Sequence, residues 1–151
     1  LAPRDIARGA ELVNSAKAAE FTVGLRSEDD PMDCQVYVAD TFGELGVWYR
    51  VAPAACIGGT FGDTEGHNPW EAVALETRVI HGPRTANFAA DYAALAADDA
   101  ATLVTDAKEL GSALTAHDHK RHVDAAKQLM NQLNGKFDAL CGDIVALGPR
   151  S

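Results

Sequence analysis

The sequence predicts an α/β domain, a parallel sheet with helices on both faces. Three observations predict it. Short runs rich in apolar and β-branched residues, at 21–25, 36–39, 54–57 and 79–81, alternate with longer stretches whose apolar residues recur at helical spacing. Strands that alternate with helices need crossovers and therefore pair in parallel. Glycine and proline punctuate the joints, at Pro53, Gly58-Gly59 and Gly82-Pro83. Finally, 151 residues with 47% hydrophobic content suit one domain with its own core, expected here to span 1–151.

Taken in order, residues 8–19 set Ala10, Leu12, Val13, Ala16 and Ala19 on a helical period, which predicts the first helix. Residues 21–25 read as a strand, and the polar stretch 26–33, with Asp29-Asp30-Pro31, as a loop. A second strand at 36–39 ends at Asp40-Thr41. A helix over 43–51 follows, offering Leu45, Trp48, Tyr49 and Val51 as its apolar face and stopping before Pro53.

The third strand, 54–57, runs into a loop carrying Gly58, Gly59, Gly62 and Gly66. Asn68-Pro69 then has the form of a helix start. Asn68 can accept from a first-turn amide, Pro69 lacks only an N–H that the first turn does not need, and Glu71 sits where the helix dipole favours a carboxylate. Helix 69–75, strand 79–81, turn 82–84 and helix 87–95 continue the alternation, followed by a weak strand at 102–104 and a helix over 106–114. Residues 118–147 are helical by pattern, with a break expected near Asn134-Gly135. In such a sheet ligands gather beyond the carboxyl ends of the strands, where the loops after residues 39, 57 and 81 meet. A helix start behind a glycine loop suits an anion there.

Composition excludes some functions. A net charge of −9 argues against nucleic acid as a partner, because neutralising phosphates takes clustered Lys and Arg. No apolar run approaches the roughly 18 residues of a membrane-spanning helix. Cys34, Cys56 and Cys141 are odd in number and widely spaced, which fits reduced thiols of a cytosolic compartment. No metal site is expected. His67 lies outside the helix that holds Glu71, so the two do not form a metal pair, and His117, His119 and His122 read as a solvated helix start. Trp48 and Tyr49 read as packing aromatics.

Four motifs in order carry a family resemblance: Val-Tyr-Val-Ala-Asp-Thr-Phe-Gly-Glu-Leu-Gly-Val-Trp-Tyr-Arg-Val-Ala-Pro at 36–53, Ile-Gly-Gly-Thr-Phe at 57–61, Gly-His-Asn-Pro-Trp-Glu at 66–71 and Gly-Pro-Arg-Thr-Ala-Asn-Phe at 82–88. The chain resembles the C-terminal half of 3-deoxy-D-manno-octulosonic acid (Kdo) transferases, densely over residues 3–115. The resemblance implies a GT-B glycosyltransferase of two Rossmann-like domains, with CMP-Kdo as donor and a lipid A precursor as acceptor in lipopolysaccharide core synthesis. It places the full-length enzyme on the cytoplasmic face of the bacterial inner membrane and this fragment in solution. It implies no cofactor, and it assigns catalytic base, acceptor site and membrane anchor to an N-terminal domain that these residues do not contain.

The same resemblance gives the donor-binding residues as Pro3 and Arg4, then Gly43, Glu44 and Leu45, Gly59 and Thr60 in the glycine loop, and Asn68, Pro69, Trp70 and Glu71. Glu71 in a first turn can accept from both ribose hydroxyls, and amides near Gly43-Glu44 and Asn68 can meet phosphate. Two positions depart from the family pattern: Asp5-Ile6 stands where His-Pro usually follows Pro-Arg, and Ala72 where a proline usually follows the glutamate. From residues alone Glu44 would be a dipole partner, and the resemblance raises it to a site residue. A stand-alone, non-catalytic nucleotide-binding module of the same fold is the alternative, and a GT-B relative such as a nucleotide-sugar epimerase ranks behind it.

Overall fold

The computed structural model describes residues 1–146, so the predicted helix end at Leu147 lies outside the described residues. Among them the elements alternate as expected: α1 (Gly9–Ala18), β1 (Val23–Leu25), β2 (Val36–Val38), α2 (Leu45–Val51), β3 (Ala54–Ile57), α3 (Trp70–Ala74), β4 (Arg78–His81), α4 (Ala89–Ala97), β5 (Ala101–Leu103), α5 (Ala107–Thr115) and α6 (His119–Ala146). All ladders are parallel. β1 pairs with β2 from Val23↔Val36 to Leu25↔Val38, and a second set runs β3-β4-β5 in sequence order. The chain divides into two compact units, Leu1–Trp48 and Tyr49–Ser151.

In the first unit α1 packs on β1 and β2. Gly9 opens that helix where no side chain would fit, since a Cβ there would lie 2.9 Å from Asp40. Asp5, the departure noted above, has a local use: its carboxylate accepts from Ala7 N at 3.1 Å and caps the single turn Ile6–Arg8. Trp48 packs its ring on Tyr37 at 5.6 Å.

In the second unit β4 is the central strand, and all four of its residues are buried. Side chains alternate across it as a pleat requires. Val79, with Ile57 of β3, joins Ala72, Val73, Tyr92, Leu95, Ala126 and Leu129 in a core under α3, α4 and α6. Ile80 faces the other way and packs with Val104 and Ala113 under α5. The sheet of this unit is therefore covered on both faces.

Several expectations are corrected. α6 runs unbroken through Asn134 and Gly135. One interior glycine costs about 1 kcal/mol against alanine, too little to end a helix anchored by Ala126 and Leu129. The stripe that these residues begin continues past the core as exposed Leu133, Phe137, Leu140 and Ile144. α2 turns only Trp48 and Tyr49 inward, leaving Leu45 and Val51 exposed. His122 is buried and not solvated: its Nδ1 meets Asp99 O at 2.6 Å and its Nε2 meets Asp118 Oδ2 at 3.1 Å. All three cysteines are free thiols.

Candidate functional site

The glycine loop is held from outside itself. Thr60 is wholly buried, and its hydroxyl donates to Ile57 O at 2.8 Å while accepting from Gly82 N at 2.8 Å. That single side chain ties the loop after β3 to the turn after β4. Arg84 N adds a bond to Thr60 O at 2.9 Å, and Gly66 N closes the loop on Gly59 O at 3.0 Å. Gly59 (φ 75°) and Gly66 (φ 92°) take the left-handed conformation that side chains resist. A Cβ at Gly59 would meet Thr64 at 3.0 Å and the His67 ring at 3.2 Å. Arg84 bonds Glu65, its Nε at 2.9 Å, and Asn87 Nδ2 holds Thr64 O at 2.7 Å. Thr60, expected as a ligand contact, has its hydroxyl proton and one lone pair engaged in this lock.

At the end of the loop, Asn68 Oδ1 accepts from Trp70 N at 2.9 Å, the first-turn bond that the sequence predicts. Pro69 is buried and precedes a helix of five residues, Trp70–Ala74, shorter than the expected 69–75. So short a helix aligns few peptide dipoles, and the amide of Trp70 is already bonded, so the anion-attracting power expected of this terminus is small. Glu71 is different. It is exposed in the first turn, and among the described residues its carboxylate makes no hydrogen bond. Burial pushes the Tyr49 hydroxyl up, and the charge of Glu71 pushes it further.

Two consecutive residues of α4 grip this junction. Trp70 Nε1 donates to Asp91 Oδ1 at 2.7 Å, and Tyr92 Oη donates to His67 O at 2.9 Å. The Tyr92 ring is buried against His81 at 4.5 Å. Burial holds the His81 imidazole below its ordinary pKa, against the raising effect of its bond to Gly82 O.

In the first unit, the loops after β1 and β2 meet through Glu44. Arg26 forks onto the carboxylate, Nε to Oε2 and Nη2 to Oε1, both at 3.0 Å, and Thr41 Oγ1 donates to Oε2 at 2.6 Å. The Thr41 bond first, and then Arg26, hold its pKa below the ordinary glutamate range. Glu44 stands just before α2, where its backbone oxygen accepts from Val47 N at 2.8 Å. Gly43 takes φ 82° and faces open space, and Leu45 is exposed. Ser27 ties to Asp40 through its amide and hydroxyl at 2.9 and 2.8 Å. Pro3 is half-buried and Arg4 exposed, in the segment whose Leu1 O accepts from Ala39 N at 2.7 Å.

Residues that sequence reasoning misses are therefore Arg26, Asp91 and Tyr92. The signal for Arg26 was its place directly after a strand, where site loops start. Nothing in the sequence marks Asp91 or Tyr92, whose hydrogen-bond partners lie more than 20 residues away. Among the described residues no three His, Cys, Asp or Glu side chains converge as a metal site requires.

No family model matches the chain. The 3-deoxy-D-manno-octulosonic acid transferase of Bordetella pertussis is 37% identical over 134 residues, 86% of this chain and 28% of that protein. The corresponding transferase of Rickettsia prowazekii is 29% identical over 118 residues, 77% of this chain and 25% of that protein. The chain thus spans about a quarter of the length of these curated relatives. A solved structure, the C-terminal CMP-Kdo binding domain of WaaA from Acinetobacter baumannii, superposes with a TM-score of 0.81 and 25% identity, covering 85% of this chain and 70% of that one. Sequence and fold together assign the chain to the C-terminal domain of the Kdo transferases, with the mixed α/β architecture of that domain.

Proposed function

We propose that this chain is the donor-binding part of a glycosyltransferase that moves Kdo from CMP-Kdo to a lipid A precursor. The observation that carries the reading is the likeness to a solved CMP-Kdo binding domain over 85% of the chain, joined to a Glu71 carboxylate left exposed at a buttressed helix start. In the reaction an acceptor hydroxyl attacks the anomeric carbon of Kdo, the bond to CMP breaks, and a base takes the hydroxyl proton. We assign base and acceptor site to a preceding domain of the full-length enzyme. The work of this chain is to hold the cytidine nucleotide and orient the sugar. Glu71 accepts from the ribose hydroxyls, and the loop around Gly59 faces the donor.

The full-length enzyme works on a lipid acceptor, which puts it at the cytoplasmic face of the inner membrane. Among the described residues no helix is long and apolar enough to cross a membrane.

Titration of the chain with CMP tests the reading. Wild type should bind CMP weakly, and Glu71→Gln should lose about ten- to a hundred-fold in affinity, the equivalent of one charge-assisted hydrogen bond of about 1.5 to 3 kcal/mol. The nucleotide 2′,3′-dideoxy-CMP should bind poorly and respond little to the substitution. Equal binding of CMP by both proteins would reduce Glu71 to a dipole partner of its helix.

A further inference from the structure

Asp91 and Tyr92 are adjacent on α4, and each reaches a different end of the segment 67–70: Tyr92 holds the His67 carbonyl at 2.9 Å, Asp91 the Trp70 indole at 2.7 Å. From this geometry we infer that the Asp91-Tyr92 pair positions the helix start that presents Glu71. The inference rests on the donor-binding reading of that helix start and adds residues that the reading does not contain.

The case is physical. α3 has only five residues, so its own hydrogen bonds cannot fix where it starts. The segment before it is a loop with glycines at 58, 59, 62 and 66, the residue type with the most conformational freedom to lose. The chain therefore needs an outside reference at residues 67–70, and α4 supplies it. That helix is anchored by Leu95, which is wholly buried, and by the Tyr92 ring, 3% exposed and packed on His81. A rigid element thus carries two bonds to the junction, one to backbone and one to a side chain. They flank Asn68, whose Oδ1 caps Trp70 N. A shift at His67 moves Asn68, its cap and then Glu71. The placement of the carboxylate is set by residues that do not touch the nucleotide.

Three measurements test this. Tyr92→Phe removes only the hydroxyl and keeps the ring on His81. Hydrogen exchange without ligand should show the amides of Trp70 and Val73 exchanging roughly two- to twelve-fold faster, with the β3–β5 ladder unchanged. CMP affinity should fall by a similar factor. The Glu71→Gln/Tyr92→Phe double variant should bind no more weakly than Glu71→Gln alone, because a positioning residue has nothing left to position. A merely structural tyrosine would lower the melting temperature and give additive losses. Should Tyr92→Phe fold poorly, Trp70→Phe and Asp91→Ala cut the second bond from either side and should give equal, non-additive losses. Unchanged exchange at Trp70 and Val73 overturns the inference, as does a faster exchange that leaves CMP affinity intact. If wild type itself fails to bind CMP, the donor-binding reading falls and the inference with it. That result is distinct from a wild type that binds and a variant that binds equally well.

Discussion

Gly82→Ala should damage the protein far more than any other alanine in the same loops. A Cβ built on Gly82 would lie 2.4 Å from the Thr60 carbonyl oxygen and 2.8 Å from the Phe61 ring. The Thr60 carbonyl, unlike the exposed Phe61 ring, cannot yield cheaply. The Thr60 carbonyl accepts from Arg84 N at 2.9 Å, and the hydroxyl of the same residue accepts from Gly82 N at 2.8 Å. Relief of the clash requires a shift approaching 1 Å, which breaks one or both bonds in a place that water does not reach. Overpacking costs about 1 to 3 kcal/mol, and a buried group left unbonded about 1 to 3 more, so with one bond lost the total falls at about 2 to 6 kcal/mol. At roughly 2 to 4 °C per kcal/mol for a chain of this size, the melting temperature should drop by roughly 10 °C. Gly58→Ala is the control, since its nearest neighbour is His67 at 3.9 Å, an ordinary contact. It should stay within about 0.5 kcal/mol of wild type. Urea titration of both variants decides the matter. A Gly82→Ala midpoint equal to that of wild type, or an equal loss in Gly58→Ala, would refute the lock assigned to Thr60.

Three further outcomes are expected. Arg78 is buried, with Nη1 on Ala113 O at 2.9 Å and Asp118 at 3.0 Å and Nη2 on Thr102 at 2.9 Å. Arg78→Ala should therefore cost about 3 kcal/mol in urea unfolding and Arg78→Met less, because methionine keeps the stem; a loss under 1 kcal/mol would contradict this. His81 is held neutral by burial, so its folded pKa lies below the ordinary 6.5 and the unfolded chain binds the proton first. Its share of stability is complete above pH 6.5 and declines as pH falls below that value, and His81→Asn should flatten the slope of stability against pH in that range; an unchanged slope counts against it. The isolated chain should not transfer Kdo from CMP-Kdo to a lipid A precursor, since loss of a general base alone forfeits about a hundred- to ten-thousand-fold. Sustained turnover in a radiolabel assay would place the base within these residues.

What the sequence revealed and what it hid divide along one line, the range of the interaction. Ala54–Ile57 and the Asn68 cap were legible because a short apolar run bounded by Pro53 and Gly58, like a capping residue, is set within a few residues. Strand ends shifted by one or two residues, as with β5 at Ala101–Leu103 where 102–104 was expected, because the ladder and not the propensity fixes them. The roles of Thr60, Glu44 and His122 were hidden for the opposite reason. Each depends on a partner that sequence does not place beside it: Gly82, Arg26 and Asp99. The Asn134-Gly135 break failed because local propensity, about 1 kcal/mol, is small beside the packing that anchors the first half of α6.

The two glutamates singled out by resemblance show how much the environment adds to identity. Both precede or open a short helix after a strand and a glycine, and from sequence their roles are interchangeable. Glu44 has its two oxygens taken by three donors, two from Arg26 and one from Thr41, so its charge is spent on joining the loops after β1 and β2. An oxygen with one such bond keeps lone pairs, but the charge that would strengthen a new one is already neutralised by the guanidinium. Among the described residues neither oxygen of Glu71 is hydrogen-bonded, while the buttressing that Glu44 supplies to its own loop comes to the Glu71 segment from Asn68, Asp91 and Tyr92. A carboxylate that must accept from two adjacent hydroxyls needs uncommitted oxygens and a fixed stem. Of the pair, only the surroundings of Glu71 provide both among the described residues, which is why our proposal puts the ribose at Glu71 and leaves Glu44 to shape the loop that carries Gly43.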